Sequence, residues 1–112
     1  MTRLSSQPIS ELKAELFKAL AHPARIRVLE LLVDGERTVS EMQPIVGLES
    51  SHLSQQLAVL RRTRLVTTRK EGPSVVYGLR DPLVADLLGV AKRLLINALA
   101  ETEDLLTDLR AR

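Results

Sequence analysis

The hydrophobic period of this chain changes between Leu60 and Leu65, and that change limits what it can fold into. Upstream the spacing is helical. Ile9, Leu12, Leu16, Ala19 and Leu20 fall on one face at three- and four-residue steps, after Pro8 or Ser10 as openers. The pattern stops at His22-Pro23, because a residue before proline is pushed out of the helical region. Pro23 suits the first turn of a second helix, and His22 its cap. Ile26, Leu29, Leu32 and Val33 make that helix's stripe, and Asp34-Gly35 ends it, with Gly35 expected in the left-handed position. Thr38-Val39-Ser40-Glu41 has the form of a capping box, opening a short helix through Met42, Ile45 and Val46. Gly47 stops it, and Pro44 inside it is expected to kink it or remove a hydrogen bond. A fourth pattern follows, with Leu53, Leu57 and Leu60 inward and Ser50, Ser51, Ser54, Gln55 and Arg61 on the surface. Two short helices joined by a glycine-containing turn make a helix-turn-helix.

Downstream the residues are β-branched. Leu65 to Lys70 and Val75 to Leu79 read as two strands around the turn Glu71-Gly72-Pro73-Ser74. Asp81 and Pro82 then open a last helix, as N-cap and first helical residue. Its stripe runs Val84, Leu88, Ala91, Leu95, Ala98, Thr102, Leu105, Leu109, alternating steps of four and three, and Leu83, Leu87 and Leu94 widen it. At 3.6 residues per turn this is about eight turns, more than a small domain covers by itself. A second copy of the chain is therefore expected on it, with Leu12, Leu16, Leu88, Leu95, Leu105 and Leu109 at the dimer interface. The expected fold is mainly α with a small β-hairpin (α+β): a winged helix-turn-helix with long N- and C-terminal dimerisation helices. Residues 1–8 are read as a flexible N-terminus and 9–112 as one domain. Within it the helix-turn-helix spans about 38–63, the wing about 65–79 and the dimerisation helix about 81–109.

With one Phe, one Tyr and no Trp, the core must be aliphatic, and a base-stacking single-strand binder is disfavoured. The chain has no cysteine, which removes disulfides, thiolate nucleophiles and zinc fingers and suits a reducing cytoplasm. No apolar run approaches the roughly 18–20 residues of a membrane span, and no secretory pattern opens the chain. The expectation is an unexported cytoplasmic protein with no membrane partner. No Ser-His-Asp or paired-carboxylate arrangement and no glycine-rich phosphate loop is visible, so no enzyme is expected.

The net charge of +2 is small, so its placement matters more than its size. Arg61, Arg62, Arg64, Arg69 and Lys70 cluster at the end of the fourth helix and the first strand, with no acid among them. Glu101, Glu103, Asp104 and Asp108 make the other end of the chain acidic. Ser50, Ser51, His52, Ser54 and Gln55 bring short polar side chains to the start of the fourth helix, where they can reach base edges in a major groove. Capping by Ser50 and Ser51 is the plainer role. The expected double-stranded DNA site is therefore Ser50, Ser51, His52, Ser54, Gln55, Arg61, Arg62, Arg69 and Lys70.

The segment Ala19-Leu20-Ala21-His22-Pro23-Ala24-Arg25-Ile26-Arg27-Val28-Leu29 resembles the opening of ArsR/SmtB-type winged-helix repressors. Gly47, Leu48, Ser51, Ser54, Gln55, Leu57 and Leu60 resemble that family's recognition helix. Leu65, Val66, Arg69, Gly72, Val76, Tyr77 and Leu79 resemble its wing. The resemblance covers about residues 12–100 and implies a homodimer that binds an operator palindrome and often releases it on binding a ligand. The departures are specific. Where family metal sensors carry cysteines, this chain has Val39-Ser40-Glu41-Met42-Gln43. Of the family's last-helix metal set only Asp81 matches, the following positions being Leu83, Leu94 and Asn97. Gln55-Gln56 stand for two histidines, and Arg64 for a glycine. A metal effector would then be an N/O-ligated ion such as Ni(II), Co(II) or Zn(II), with His22 the weak candidate ligand. In place of a metal, an organic ligand, a partner protein or no ligand at all is the favoured expectation. A helical protein-interaction module without DNA binding is the rival reading, against which the basic cluster counts.

Overall fold

The computed structural model describes residues 8–111. The flexible segment expected at 1–8 therefore lies, but for Pro8, outside the described residues. The elements are α1 (Ile9–Leu20), α2 (Pro23–Val33), β1 (Arg37–Thr38), α3 (Val39–Val46), α4 (Ser50–Arg62), β2 (Val66–Glu71), β3 (Ser74–Leu79) and α5 (Leu83–Ala111). Winged helix-turn-helix architecture follows: α3 and α4 are the helix pair, and β2 and β3 the wing.

Local chemistry sets the boundaries. His22 is extended (φ −150°, ψ 125°), and its Nδ1 accepts the Ala24 N–H at 3.1 Å, so it caps α2 ahead of Pro23. Thr38 Oγ1 accepts the Glu41 N–H at 3.2 Å while Glu41 Oε1 accepts the Thr38 N–H at 2.9 Å. Both halves of the capping box are present, and each satisfies a donor the helix leaves over. Asp81 Oδ1 accepts the Leu83 N–H at 2.9 Å at the start of α5. Asp34 ends α2 in right-handed geometry, and Gly35 just beyond it takes φ 140°, a positive φ that favours glycine, while donating to the Leu32 carbonyl. The left-handed cap is Gly47, φ 76°, at the end of α3. Pro44 lies inside α3, where its missing N–H withholds the usual bond to the Ser40 carbonyl.

The wing is an antiparallel hairpin in the register Val66 with Leu79 through Glu71 with Ser74. A third strand, which no sequence period announced, is β1: Arg37 pairs with Tyr77 and Thr38 with Val76, giving the order β1-β3-β2. Arg64, leading into β2, takes φ 61°, the left-handed conformation that a glycine would adopt without strain. The chain thus keeps the turn that the ArsR/SmtB resemblance gives to glycine, and builds it from arginine.

The core is aliphatic with one methionine: Val28, Leu29, Met42, Leu53, Leu57, Leu60 and Val66 are fully buried. The stripe expected for α2 is rotated. Ala24, Val28, Leu29 and Leu32 are buried, Ile26 is half-buried and Val33 is exposed. The reason is that α2 is the central helix, packed by α3, α4, α5 and β3 at once, so several neighbours fix its buried arc. Only the start of α5 joins this core, through Val84, Leu87 and Leu88. From Gly89 to Ala111 every residue of α5 is exposed in the single chain. The helix is about 43 Å long at 1.5 Å per residue. Its projection raises the radius of gyration to 18.2 Å, against about 13 Å for a compact chain of this size.

Candidate nucleic-acid interface

One side of α4 is buried and the other is bare. Leu53, Gln56, Leu57 and Leu60 face the core. Ser51, Ser54, Gln55, Ala58, Arg61 and Arg62 are exposed at helical spacing along the opposite side. The helix opens on Glu49 as N-cap, without a side-chain cap bond, so neither Ser50 nor Ser51 caps it. Ser50 instead donates to Gln43 Oε1 at 3.1 Å, tying the first turn of α4 to α3. The first-turn N–H groups of α4 and the Ser51, Ser54 and Gln55 side chains therefore stand where a duplex groove can meet them.

α4 contacts β2, whose far end carries Arg69 and Lys70 near the turn of the wing; Arg61, Arg62, Arg69 and Lys70 are all exposed. These cations differ in kind. The Arg69 guanidinium donates to Glu36 at 3.2 Å through Nε and Nη2 and to Glu71 at 2.7 Å through Nη1. Its pKa is raised above the ordinary arginine value, first by the hydrogen bond to Glu36, then by that to Glu71. Two carboxylates thus offset the one charge, a feature absent from the sequence reading. The site is positive through Arg61, Arg62, Arg64 and Lys70 more than through Arg69. Exposed pairs of this kind contribute little stability, so the clamp orients the side chain more than it holds the fold.

His52, exposed in the first turn of α4, lies edge-on to His22, with ring centroids 6.4 Å apart. His22 spends its Nδ1 on the helix cap. Among the described residues no three His, Cys, Asp or Glu side chains gather as metal ligands, so the Ni(II), Co(II) or Zn(II) alternative finds no constructed site there.

Two arginines of α2 were missed as site-building residues. Arg27 Nη1 donates to the Val46 carbonyl at 3.1 Å and so closes the end of α3. Arg25 donates to Gln56 on α4. Their spacing in an apolar helix is the only sequence signal that could have drawn notice to them.

The expected dimer residues are placed as a surface. Leu12 and Leu88 are half-buried, Leu16 is partly exposed, and Leu95, Leu105 and Leu109 are well exposed. Among the described residues no helix is long and apolar enough to cross a membrane.

Comparison with known proteins agrees with this geometry. Residues 22–68 match the model for bacterial regulatory proteins of the arsR family. The chain is 51% identical over 109 residues to the HTH-type transcriptional regulator Rv0081 of Mycobacterium tuberculosis, covering 96% of each. A crystal structure of Rv0081 superposes with a TM-score of 0.81, over 86% of this chain and 97% of that one. The chain is 36% identical over 88 residues to a biofilm growth-associated repressor of Xylella fastidiosa, covering 79% of this chain and 77% of the repressor. The homodimeric winged helix-turn-helix DNA-binding domain Mb0332 of Mycobacterium bovis matches with a TM-score of 0.77 at 28% identity, over 90% of this chain and 92% of that one.

Proposed function

The chain belongs to the arsR family of bacterial regulatory proteins, and from that premise we propose that it is a homodimeric, sequence-specific regulator of transcription that binds double-stranded DNA, acting as a cytoplasmic repressor. The observation that carries this reading is the bare polar face of α4, Ser51, Ser54 and Gln55, continued by Arg61, Arg62 and the wing's Lys70. Gln55 can pair bidentately with N6 and N7 on the major-groove edge of an adenine, and the serines can meet bases or phosphates. Exposed Leu95, Leu105 and Leu109 on α5 support a second copy there, with α1 beside it through Leu12 and Leu16. A twofold dimer would set two α4 helices roughly 34 Å apart, one turn of duplex. Repression is drawn from the relative named as a repressor.

Selection of duplexes from a random-sequence library tests this. The expected product is an enriched inverted repeat, bound with an affinity that falls steeply with salt. Lys70→Ala weakens binding to all sequences and flattens the salt slope by about one unit, and Gln55→Ala alters base preference. Arg69→Ala flattens the slope less than Lys70→Ala does, because Glu36 and Glu71 already compensate Arg69. No enrichment, or an affinity indifferent to salt, overturns the reading.

A further inference from the structure

Gln56 is the one buried polar side chain among the described residues, 8% exposed on the inner face of α4, next in sequence to exposed Gln55. Its Oε1 accepts from Arg25 Nη1 at 3.3 Å. Arg25 Nη2 donates at 3.3 Å to the Lys18 carbonyl in the last turn of α1. Arg25 Nε is buried with no hydrogen-bond partner. One guanidinium at the start of α2 therefore ties together two elements with separate duties: α1, which carries Leu12 and Leu16, and α4, which carries the polar reading face.

Arginine fits this position for a geometric reason. Its planar fork presents donors in two directions at once, and the compact ammonium of lysine does not. Both bonds are long and one buried donor goes unused, so the contact is no optimised stability element. Beside it lies a cavity of about 290 Å³, open to solvent, lined by Glu15, Lys18, Ala19, Arg25, Val59 and Thr63. Along this seam packing alone does not fix α4 against α1, because there is space for the helix to shift.

We infer that Arg25, through Gln56, is a positioning residue for DNA reading: it sets the attitude of α4 relative to the α1 end of the dimer. The inference rests on α4 being the base-reading helix. Specific recognition needs α4 held to its base edges, whereas phosphate attraction tolerates a shifted helix. The tie therefore acts on discrimination between sequences and leaves general affinity unchanged.

The test uses the full chain, a duplex selected by the wild-type protein, and a scrambled duplex of the same length. Arg25→Lys and Gln56→Leu each lose about tenfold in affinity for the selected duplex, the size of one hydrogen bond to a charged group. Each loses less than about twofold on the scrambled duplex, with salt slope and dimerisation as in wild type. The double variant loses no more than either single one, because both cut the same link. Gln56→Glu with Arg25 kept preserves both directions of the guanidinium and keeps wild-type discrimination. Equal losses on both duplexes, multiplicative losses in the double variant, or a Gln56→Glu protein that loses discrimination would overturn the inference. So would an Arg25→Lys protein that fails to fold while Gln56→Leu folds and discriminates normally. A wild-type protein that binds both duplexes alike overturns the reading of α4 itself, a separate result.

Discussion

α4 and α5 carry the same kind of leucine stripe and treat it oppositely. Leu57 of α4 is 1% exposed, and Leu95 of α5 is 63% exposed. Spacing cannot tell the two apart, since both repeat at helical intervals. The difference is what lies opposite. α4 is short and backed by α2 and the wing, so its stripe closes on the chain's own core. α5 passes the edge of that core after its second turn and carries its stripe into open space. An apolar face thus reports that a partner is needed, and only the fold says whether the chain itself supplies it. Two kinds of stability follow. The body is held from within one chain, so its contribution ignores protein concentration. In the proposed dimer the far half of α5 would be held by association, and its contribution would rise with concentration.

The largest expected effect is in the body. Leu57→Ala removes a fully buried side chain between α2 and the wing and leaves a cavity. It should cost about 3 kcal/mol, within the range for buried leucines. Denaturant unfolding should show the same loss at dilute and concentrated protein. A loss that shrank as protein concentration rose would erase the distinction between the two helices.

Next is the opposite lesion. Leu95→Glu puts a charge into the exposed stripe of α5, where an associating copy would have to bury it unpaired. Self-association should weaken by about 30-fold or more, as for a central interface residue. Sedimentation at micromolar protein should show monomer, while amide exchange in α2 and α4 stays near wild type. A variant that still sediments as a dimer would break the comparison from the other side.

These lesions also mark what was legible beforehand. The capping box of Thr38 and Glu41, the His22-Pro23 junction, Gly47 and the hairpin turn all involve residues within a few positions of one another. Composition and spacing therefore exposed them. The β1 strand, the Arg25–Gln56 tie and the clamp of Glu36 on Arg69 join residues about thirty to forty apart, and no local pattern encodes such a pairing. The exposed face of α4 could be placed because its buried leucines fixed the helix's orientation. The state of Arg69 could not, because Glu36 comes to it only through the pairing of β1 with β3.

A smaller effect should appear at Arg64, and it has the opposite sign. The residue holds φ 61° in the link between α4 and β2, which costs an L-residue about 1–2 kcal/mol. Glycine removes that strain and adds about 0.5–1 kcal/mol of unfolded-state entropy loss. Arg64→Gly should therefore stabilise the chain by about 0.5 kcal/mol, independent of concentration, since the turn belongs to the body. It should also lower affinity for every duplex slightly, having removed a cation beside Arg61 and Arg62. A concentration-dependent gain would place this turn under the control of the dimer.

The smallest effect is a matter of pH, and it separates body from tail by chemistry. The Glu41 carboxyl is held below its ordinary value of 4.5, first by the Thr38 N–H, then by the Thr38 hydroxyl, with a further contribution from Arg37. A depressed folded value means the charged form is favoured by folding. Its stabilising contribution is complete above about 4.5 and is lost as pH falls through the lower, folded value. The carboxylate also sits at the positive end of α3, so protonation loosens the helix that leads into α4. Thermal midpoints of the Leu95→Glu monomer, taken as pH falls from neutral through the carboxylate range, should decline more steeply with Glu41 present than with Glu41→Gln. Gln keeps an acceptor for the Thr38 N–H but has no proton to gain. Working in the monomer removes the association term, so whatever difference survives belongs to α3. Parallel declines in the two proteins would mean that the box holds α3 by geometry alone and that its charge is idle.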